Sequence, residues 1–384
     1  MDGSIAKRGE ALAPRALQEL ERLVAISTPF GDVAAAEQVF ELCRELLPAG
    51  SEFERPPCST AGCAPDLIAR IAGTGLGRLL LLGHVDTVVA HSDHRPPRRE
   101  GGRLYGSGTA DMKGGVAIML ALARELALAP TEFAELAVLL VCDEEWRVAP
   151  FVHVEKFAGY DTCLCFEAGE RAPDGAEGVV VKRKGAATLR VRSTGRAAHS
   201  GSAPLDGHNA LLALAHAAIV LTATADPTGP EQLTVVPTIV RAGEALNVVP
   251  AAGELVFDLR ASDTAAFQRV IDALPPEVGG ATLAGTFDRL WPAMDSASAA
   301  SAVIASAAEL LGRPIVGRAR GGASDASHFA TAIPRTVDGL GPRGGGAHTP
   351  EEFIDSGSVP ERIAVALALS RAAVCPLNRA TAPH

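Results

Sequence analysis

The sequence predicts an α/β protein with a mixed, mainly parallel sheet flanked by helices and an inserted α+β domain. Three observations predict it. The runs 79–82, 136–142 and 162–166 are short, apolar and continuous, as buried parallel strands are, and a helical pattern lies between the first two. Each run ends in polar residues able to do chemistry: His84 and Asp86, then Glu144 and Glu145, then Glu167. From Gly178 the texture changes to the alternation of half-exposed antiparallel strands, and it reverts near Asp295. At ~150 residues per domain, a chain of 384 residues suits two domains, or three.

The elements follow in order. Helical spacing from Ala13 to Leu47 is broken by Ser-Thr-Pro-Phe-Gly-Asp at 27–32, which predicts two helices, the second running from near Asp32 to Leu46. Residues 51–65 read as an irregular connection, and 67–71 and 78–82 as strands. A helix is expected over 112–128, opened by Lys113-Gly114-Gly115. Strands at 136–142 and 162–166 complete the pattern of a sheet with acidic residues along one edge. The segment 179–195 (VVVKRKGAATLRVRSTG) suits an antiparallel strand pair. Helices at 209–221 and 264–274 and strands at 233–240 and 247–260 then make a sheet of about four strands with two helices on one face. The insert is placed at 181–291, and the main domain at 1–180 and 292–384. The closing stretch predicts a helix to Leu311, a glycine-rich loop at 321–325, a strand at 333–338, a second glycine-rich loop reaching His348, and a helix over 359–374.

Composition removes several functions. Forty-five acidic residues against 35 Lys and Arg leave a formal charge of −10, which opposes nucleic-acid and anionic-membrane binding. The basic patch Lys182-Arg183-Lys184 reads as a solvated face, and an aromatic content of 4% weakens any base-stacking role. No apolar run approaches the ~18 residues of a membrane span. The N-terminal MDGSIAKRGEALAPRAL has no apolar h-region, and the seven scattered cysteines read as reduced thiols, so a cytoplasmic chain is expected. Cys58 and Cys63 have ligand-like spacing but no second pair, and Cys163 and Cys165 alternate on a strand; both pairs are expected to pack structurally.

In open α/β sheets, residues that handle ligands lie beyond the carboxyl ends of the strands. There His84, Asp86 and Asp111 are candidate metal ligands, joined by Glu145, Glu167 and His348, which follow other apolar runs or leave their loops. Histidine with carboxylate suits zinc or a similar divalent ion. Two histidines, two single carboxylates and one further, bridging carboxylate have the capacity for two metals. The turn GSGTAD lacks the spacing of a Walker or Rossmann phosphate loop.

The motifs GHVDTV, GSGTADMKGG, CDEE, CFEAG, GRAAHSG, GGASDASHF and GGAHTPEEFID, in this order over nearly the whole chain, resemble a co-catalytic di-zinc family. It comprises acetylornithine deacetylase, succinyl-diaminopimelate desuccinylase, aminoacylase and glutamate carboxypeptidase. The resemblance implies a zinc-exopeptidase-like catalytic domain with an inserted lid and dimerisation domain. It implies that His84 and Glu167 hold one metal and Glu145 and His348 the other, with Asp111 bridging and Asp86 orienting His84. Glu144 is then the general base; neighbours on extended backbone point to different sides, so Glu145 can bind metal while Glu144 addresses a water. By the same resemblance His199 stabilises the oxyanion from the partner subunit, implying a homodimer. Asn247 and Arg260 contact substrate, and Gly322 and Ser324 lie in a loop expected to contact its carboxylate. His91, His94, His153, His208, His216, His328 and His384 match no ligand position.

One departure stands out. After Glu-Glu the family places small residues, often Gly-Ser, whereas this chain has Trp146-Arg147-Val148-Ala149-Pro150. Trp146 either narrows the pocket, stacks on substrate or packs outside it. The expected activity is hydrolysis of an amide or peptide bond to an amino acid with a free carboxylate, on N-acyl amino acids or short peptides. The segment VVVKRKGA and the loop GGASDA resemble the glutamate carboxypeptidase branch most. A deacylase or dipeptidase on the same site is the alternative, and a deaminase or noncatalytic binder the more distant one; an intact Glu144 opposes the binder.

Overall fold

A computed structural model describes residues 4–374 as two compact units, one of residues 4–182, 295–319 and 324–374, the other of 183–294 and 320–323. The first is built on a six-stranded sheet in the order Glu52–Glu54, Leu67–Ala72, Glu135–Val141, Arg78–His84, Thr162–Cys165, Thr336–Val337. Arg78–His84 pairs in parallel with both neighbours, and Thr162–Cys165 pairs in parallel with Thr336–Val337. The pairings of Leu67–Ala72 are antiparallel. Leu79 to Leu82 are buried, as expected for a central strand covered on both faces. Glu52–Glu54 falls inside the stretch expected to be irregular; it is an edge strand exposed throughout, so no apolar period marks it.

Helices Ser4–Val24, Gly114–Ala127, Ala297–Leu311 and Val359–Val374 pack with one another in this unit. The helix Val33–Leu46 starts where expected because Asp32 Oδ1 accepts the Ala35 N–H at 2.9 Å, satisfying one of the first-turn donors. Gly115 opens the helix Gly114–Ala127 against the strand end that leads to Glu167. A Cβ there would lie 1.8 Å from the Phe166 carbonyl oxygen, so only glycine allows the approach.

One sequence expectation is corrected. The segment 179–195 is not a strand pair. Glu177–Arg183, almost wholly buried, joins Met294–Asp295 and Ile315–Arg320 in the first unit, whereas Gly185–Thr194 is a central strand of the second. Apolar continuity before Arg183 and alternation after Gly185 mark two environments.

The second unit is a five-stranded antiparallel sheet in the order Thr234–Ala242, Ala252–Ala261, Gly185–Thr194, Ala281–Trp291, Glu277–Val278. Helices Ala210–Thr222 and Ala265–Asp272 share one core with it, around Leu189, Leu214, Phe257 and Phe267. Asn209 caps the first helix, its Oδ1 accepting the N–H groups of Leu211 and Leu212 at 3.0 and 3.2 Å.

Candidate metal centre

Three adjacent parallel strands bring the expected donors to one edge. His84 is the last residue of the middle strand, Glu144 and Glu145 follow Glu135–Val141 on one side, and Glu167 follows Thr162–Cys165 on the other. Asp111 lies in the turn Thr109–Lys113 before the helix, and His348 in the loop between Gly344–Gly345 and Phe353–Asp355. His348 has φ 65°, a left-handed conformation uncommon outside glycine.

Two donor groups form: His84, Asp111 and Glu167 in one, Asp111, Glu145 and His348 in the other, each with its ligand atoms within 4.8 Å of one another. Asp111 belongs to both. Its Oδ1 lies 3.1 Å from His84 Nε2, and its Oδ2 lies 3.1 Å from His348 Nε2. Glu145 Oε2 is 3.2 Å from His348 Nε2, and Glu167 Oε1 is 3.8 Å from His84 Nε2.

Asp86 is in neither group. Its Oδ1 is 3.4 Å from His84 Nδ1, and its two carboxylate oxygens accept the backbone N–H groups of Glu144 and Glu145 at 3.2 and 3.0 Å. One buried carboxylate therefore aims the His84 ring and holds the Glu-Glu elbow together. That elbow is a turn over 144–146, not the extended backbone expected from the sequence; Asp86, by taking both N–H groups, accounts for the turn.

The charges explain what the centre needs. Burial pushes the Glu144 carboxyl up to about 7, with the Glu145 and Asp111 charges adding and His84 opposing. Burial and then the Asp111 charge raise Glu167 well above the carboxylate range, and burial raises Glu145. Hydrogen bonds to Asp111 and Glu145 lift His348 to about 10. For His84, burial disfavours the charged ring, but hydrogen bonds to Asp111 and Asp86 outweigh it and the pKa is raised. Asp111 is lowered, burial being overcome by bonds to the two histidines. Carboxylates crowded this closely repel one another, and a bound cation would relieve that repulsion. Histidine nitrogen with carboxylate oxygen in each group, sharing one carboxylate, fits a pair of divalent ions of the zinc class.

Two supports were not foreseen. Glu352, buried, accepts the N–H groups of Gly108, Ala110 and Asp111 at 2.7, 2.8 and 2.9 Å, which fixes the backbone of the shared ligand. It stands in the HTPEEFID motif, but its partners are more than two hundred residues away and no local pattern joins them. Arg147 is fully buried and bridges Asp143 Oδ1 (2.8 Å) and Asp325, with its guanidinium 4.3 Å from the Phe151 ring centroid. Trp146 is 58% exposed. The bulky departure from the family is thus accommodated because Arg147 turns inward and Trp146 does not.

The remaining residues are members of neither donor group. Ser324 is buried and donates to Asp338 Oδ2 at 2.7 Å. In the second unit His199 is exposed, its Nδ1 accepting the N–H groups of Gly201 and Ser202 at 3.1 Å each, so the neutral ring carries its proton on Nε2. Asn247, also exposed, lies beside it: its carbonyl accepts the Ser200 N–H at 3.0 Å, and Val248 bridges His199. Arg260 is half-buried and paired with Asp258 through two 3.0 Å bonds, and the Gly322 carbonyl accepts from Arg183 at 2.8 Å. His91, His94, His153, His208, His216 and His328 belong to neither donor group, and His384 lies outside the described residues. No helix among the described residues is long and apolar enough to cross a membrane.

A mixed α/β sheet with histidine and carboxylate donors at its strand ends defines a class, the metal-dependent hydrolases of this architecture. The chain belongs to the family described as Peptidase family M20/M25/M40, whose model matches residues 80–372. It is 29% identical to Carboxypeptidase G2 of Pseudomonas sp. (strain RS-16) over 378 residues, 93% of this chain and 88% of that protein. It is 32% identical to a succinyl-diaminopimelate desuccinylase of Halorhodospira halophila over 261 residues, 57% of this chain and 67% of that one. Among solved structures, a tripeptidase from Staphylococcus aureus matches with a TM-score of 0.77 at 21% identity, covering 94% of this chain and 98% of its own. An M20 family metallo-carboxypeptidase from Sulfolobus solfataricus matches with a TM-score of 0.72 at 18% identity, covering 94% and 99%. The chain is an enzyme of carboxypeptidase or acyl-amino-acid hydrolase type.

Proposed function

We propose that this enzyme cleaves an amide or peptide bond to an amino acid with a free α-carboxylate, in the manner of a glutamate carboxypeptidase, with two zinc-class ions. One observation carries the reading: Asp111 presents one oxygen to each of two histidines, each with its own further carboxylate. His84 and Glu167 would hold one ion, Glu145 and His348 the other, and Asp111 both. Ions so held polarise the scissile carbonyl and favour ionisation of water. Glu144, buried and lifted to about 7, holds the proton taken from the attacking water and returns it to the leaving amine. His199 offers its Nε2–H to the developing oxyanion. Arg260 and Asn247 receive the substrate carboxylate, with Gly322 and Ser324 in a supporting loop. The chain is read as a cytoplasmic homodimer paired through the 181–291 insert, so that His199 serves the partner's centre.

A deacylase on the same residues is the second reading, favoured by the similarity to the desuccinylase. A panel of N-acyl amino acids and dipeptides, scored by amine release, separates the two. Peptides and N-acyl amino acids ending in glutamate should be preferred, and Glu144→Gln should lower kcat by ~10²–10⁴-fold with metal content unchanged. A Glu144→Gln enzyme that hydrolyses at the native rate removes Glu144 from the base role.

A further inference from the structure

The first unit contains a second donor cluster, built from different chemistry. Cys58 Sγ, Cys142 Sγ and a carboxylate oxygen of Asp66 lie within 4.8 Å of one another. Cys63 lies on the same loop as Cys58 and lines one cavity with Cys142. Cys58, Cys63 and Cys142 are free of disulfide bonds. The sequence offered Cys58 and Cys63 as a pair without companions; the fold provides the companions from elsewhere.

Two of these donors stand on rigid elements. Asp66 directly precedes Leu67–Ala72, and Cys142 directly follows Glu135–Val141. These strands are antiparallel neighbours with Leu67 opposite Leu140, so the sheet register brings Asp66 and Cys142 together. The other two bracket a loop tied to the same place by the Thr60 N–H, which donates to Asp143 Oδ2 at 2.9 Å. Asp66 is already oriented: Oδ1 accepts the Cys142 N–H at 3.3 Å, and Oδ2 lies 2.7 Å from His153 Nε2. A buried histidine behind a carboxylate is the arrangement that holds a metal-binding carboxylate in place, and His153 uses only one nitrogen, Nδ1 having no partner.

The spacing suits a small soft-ligand site. Bonds of ~2.3 Å to sulfur and ~2.1 Å to oxygen at tetrahedral angles put ligand atoms ~3.5–3.8 Å apart. Cys142 Sγ already lies 3.8 Å from Asp66 Oδ1, and its one competing bond is a 3.3 Å contact to the Ala64 carbonyl. We propose that Cys58, Cys142 and Asp66, with Cys63 as fourth donor, form a structural site for a thiophilic divalent ion of the zinc class, separate from the strand-end centre. Binding releases the thiol protons to solvent. The ion clamps the Cys58–Cys63 loop to the strand that presents Glu144 and Glu145, and Asp86 joins Cys63 and Cys142 in lining one small cavity.

Cobalt(II) tests this on the full chain, reduced and stripped of metal. The strand-end centre has no sulfur ligand, so a thiolate-to-cobalt charge-transfer band reports the cysteine site alone. The band should saturate by about three equivalents, one for this site and two for the strand-end centre, and disappear in Cys58→Ser with Cys142→Ser. It should persist in Asp111→Asn, whose change lies in the other centre. Cys58 is half-buried on a loop, so Cys58→Ser alone serves if the buried Cys142 tolerates no change. In the native chain, zinc at about three equivalents should slow alkylation of Cys58 and Cys63 by ~10-fold or more. A missing band once cobalt exceeds about three equivalents, a band that survives Cys58→Ser undiminished, or unprotected thiols overturns the site. A Cys58–Cys63 or Cys58–Cys142 disulfide that re-forms in place of metal uptake does the same.

Discussion

The two units treat their functional residues in opposite ways. In the first, His84, Asp86, Glu144 and Glu145 are buried or nearly so, and each is held by a neighbour: Asp86 by two backbone N–H groups, the His84 ring by Asp86, Asp111 by Glu352 through its backbone. In the second, His199 and Asn247 are exposed on loops, and Arg260 has only Asp258, two residues away on its own strand. A centre that must hold cations at fixed separation needs rigid donors, and a sheet buried on both faces supplies them. The residues proposed to meet a variable ligand are left outside the core. On the proposed reading, the first unit decides whether metal binds and the second what happens around it.

That division can be broken by substitution. The largest effect is expected from Asp111→Asn, which weakens both donor groups at once. Metal content measured by mass spectrometry should fall for both ions, and kcat/KM by ~10³-fold or more, the several kcal/mol that metal ions supply. Retention of two ions at native affinity would remove the shared-ligand arrangement. Next is the buried arginine. Arg147→Met strands Asp143 and Asp325 without their cation and should cost ~3–5 kcal/mol in denaturant unfolding. Trp146→Ala beside it should change stability by no more than ~0.5 kcal/mol, because that ring is largely in solvent.

His199→Ala tests the other side of the comparison. It should lower kcat by ~10²–10³-fold and leave metal content untouched. Lost metal would make His199 a ligand and end the division of labour. The smallest signal is in protons. His348, lifted to about 10, and His84, also raised, are both protonated near neutral pH in the metal-free chain. Coordination needs neutral rings, ionised carboxylates and, at the cysteine cluster, thiolates, so metal uptake at pH 7 should release about two protons per chain or more, and affinity should rise with pH. Calorimetry in buffers of different ionisation enthalpy measures the number; none released would mean that metal binds elsewhere.

Much of this was legible in the residues. The central strands and the helices at 33–46 and 359–374 carry apolar signals, His84, Glu145 and Glu167 stand just beyond such runs, and His348 is marked by its motif after a glycine-rich loop. Glu52–Glu54 was not legible, since an exposed edge strand has no apolar signal. Ala281–Trp291 went unread although its alternation (Ala281, Leu283, Phe287) was present, and it adds to the second sheet a strand that the expected set of about four lacked.

Sequence alone determined the fold class, the metal-capable residues and the family, because hydrophobic period and motif order are local properties written along the chain. Only the tertiary structure decided what holds those donors. It tied the Asp111 backbone to Glu352, made Asp86 the holder of the Glu144–Glu145 turn, turned Arg147 inward, and set Asp66 and Cys142 beside Cys58. Each is a contact across strands or loops far apart in sequence. Sheet register and burial fix such contacts, and neither can be read from a residue's neighbours in the chain.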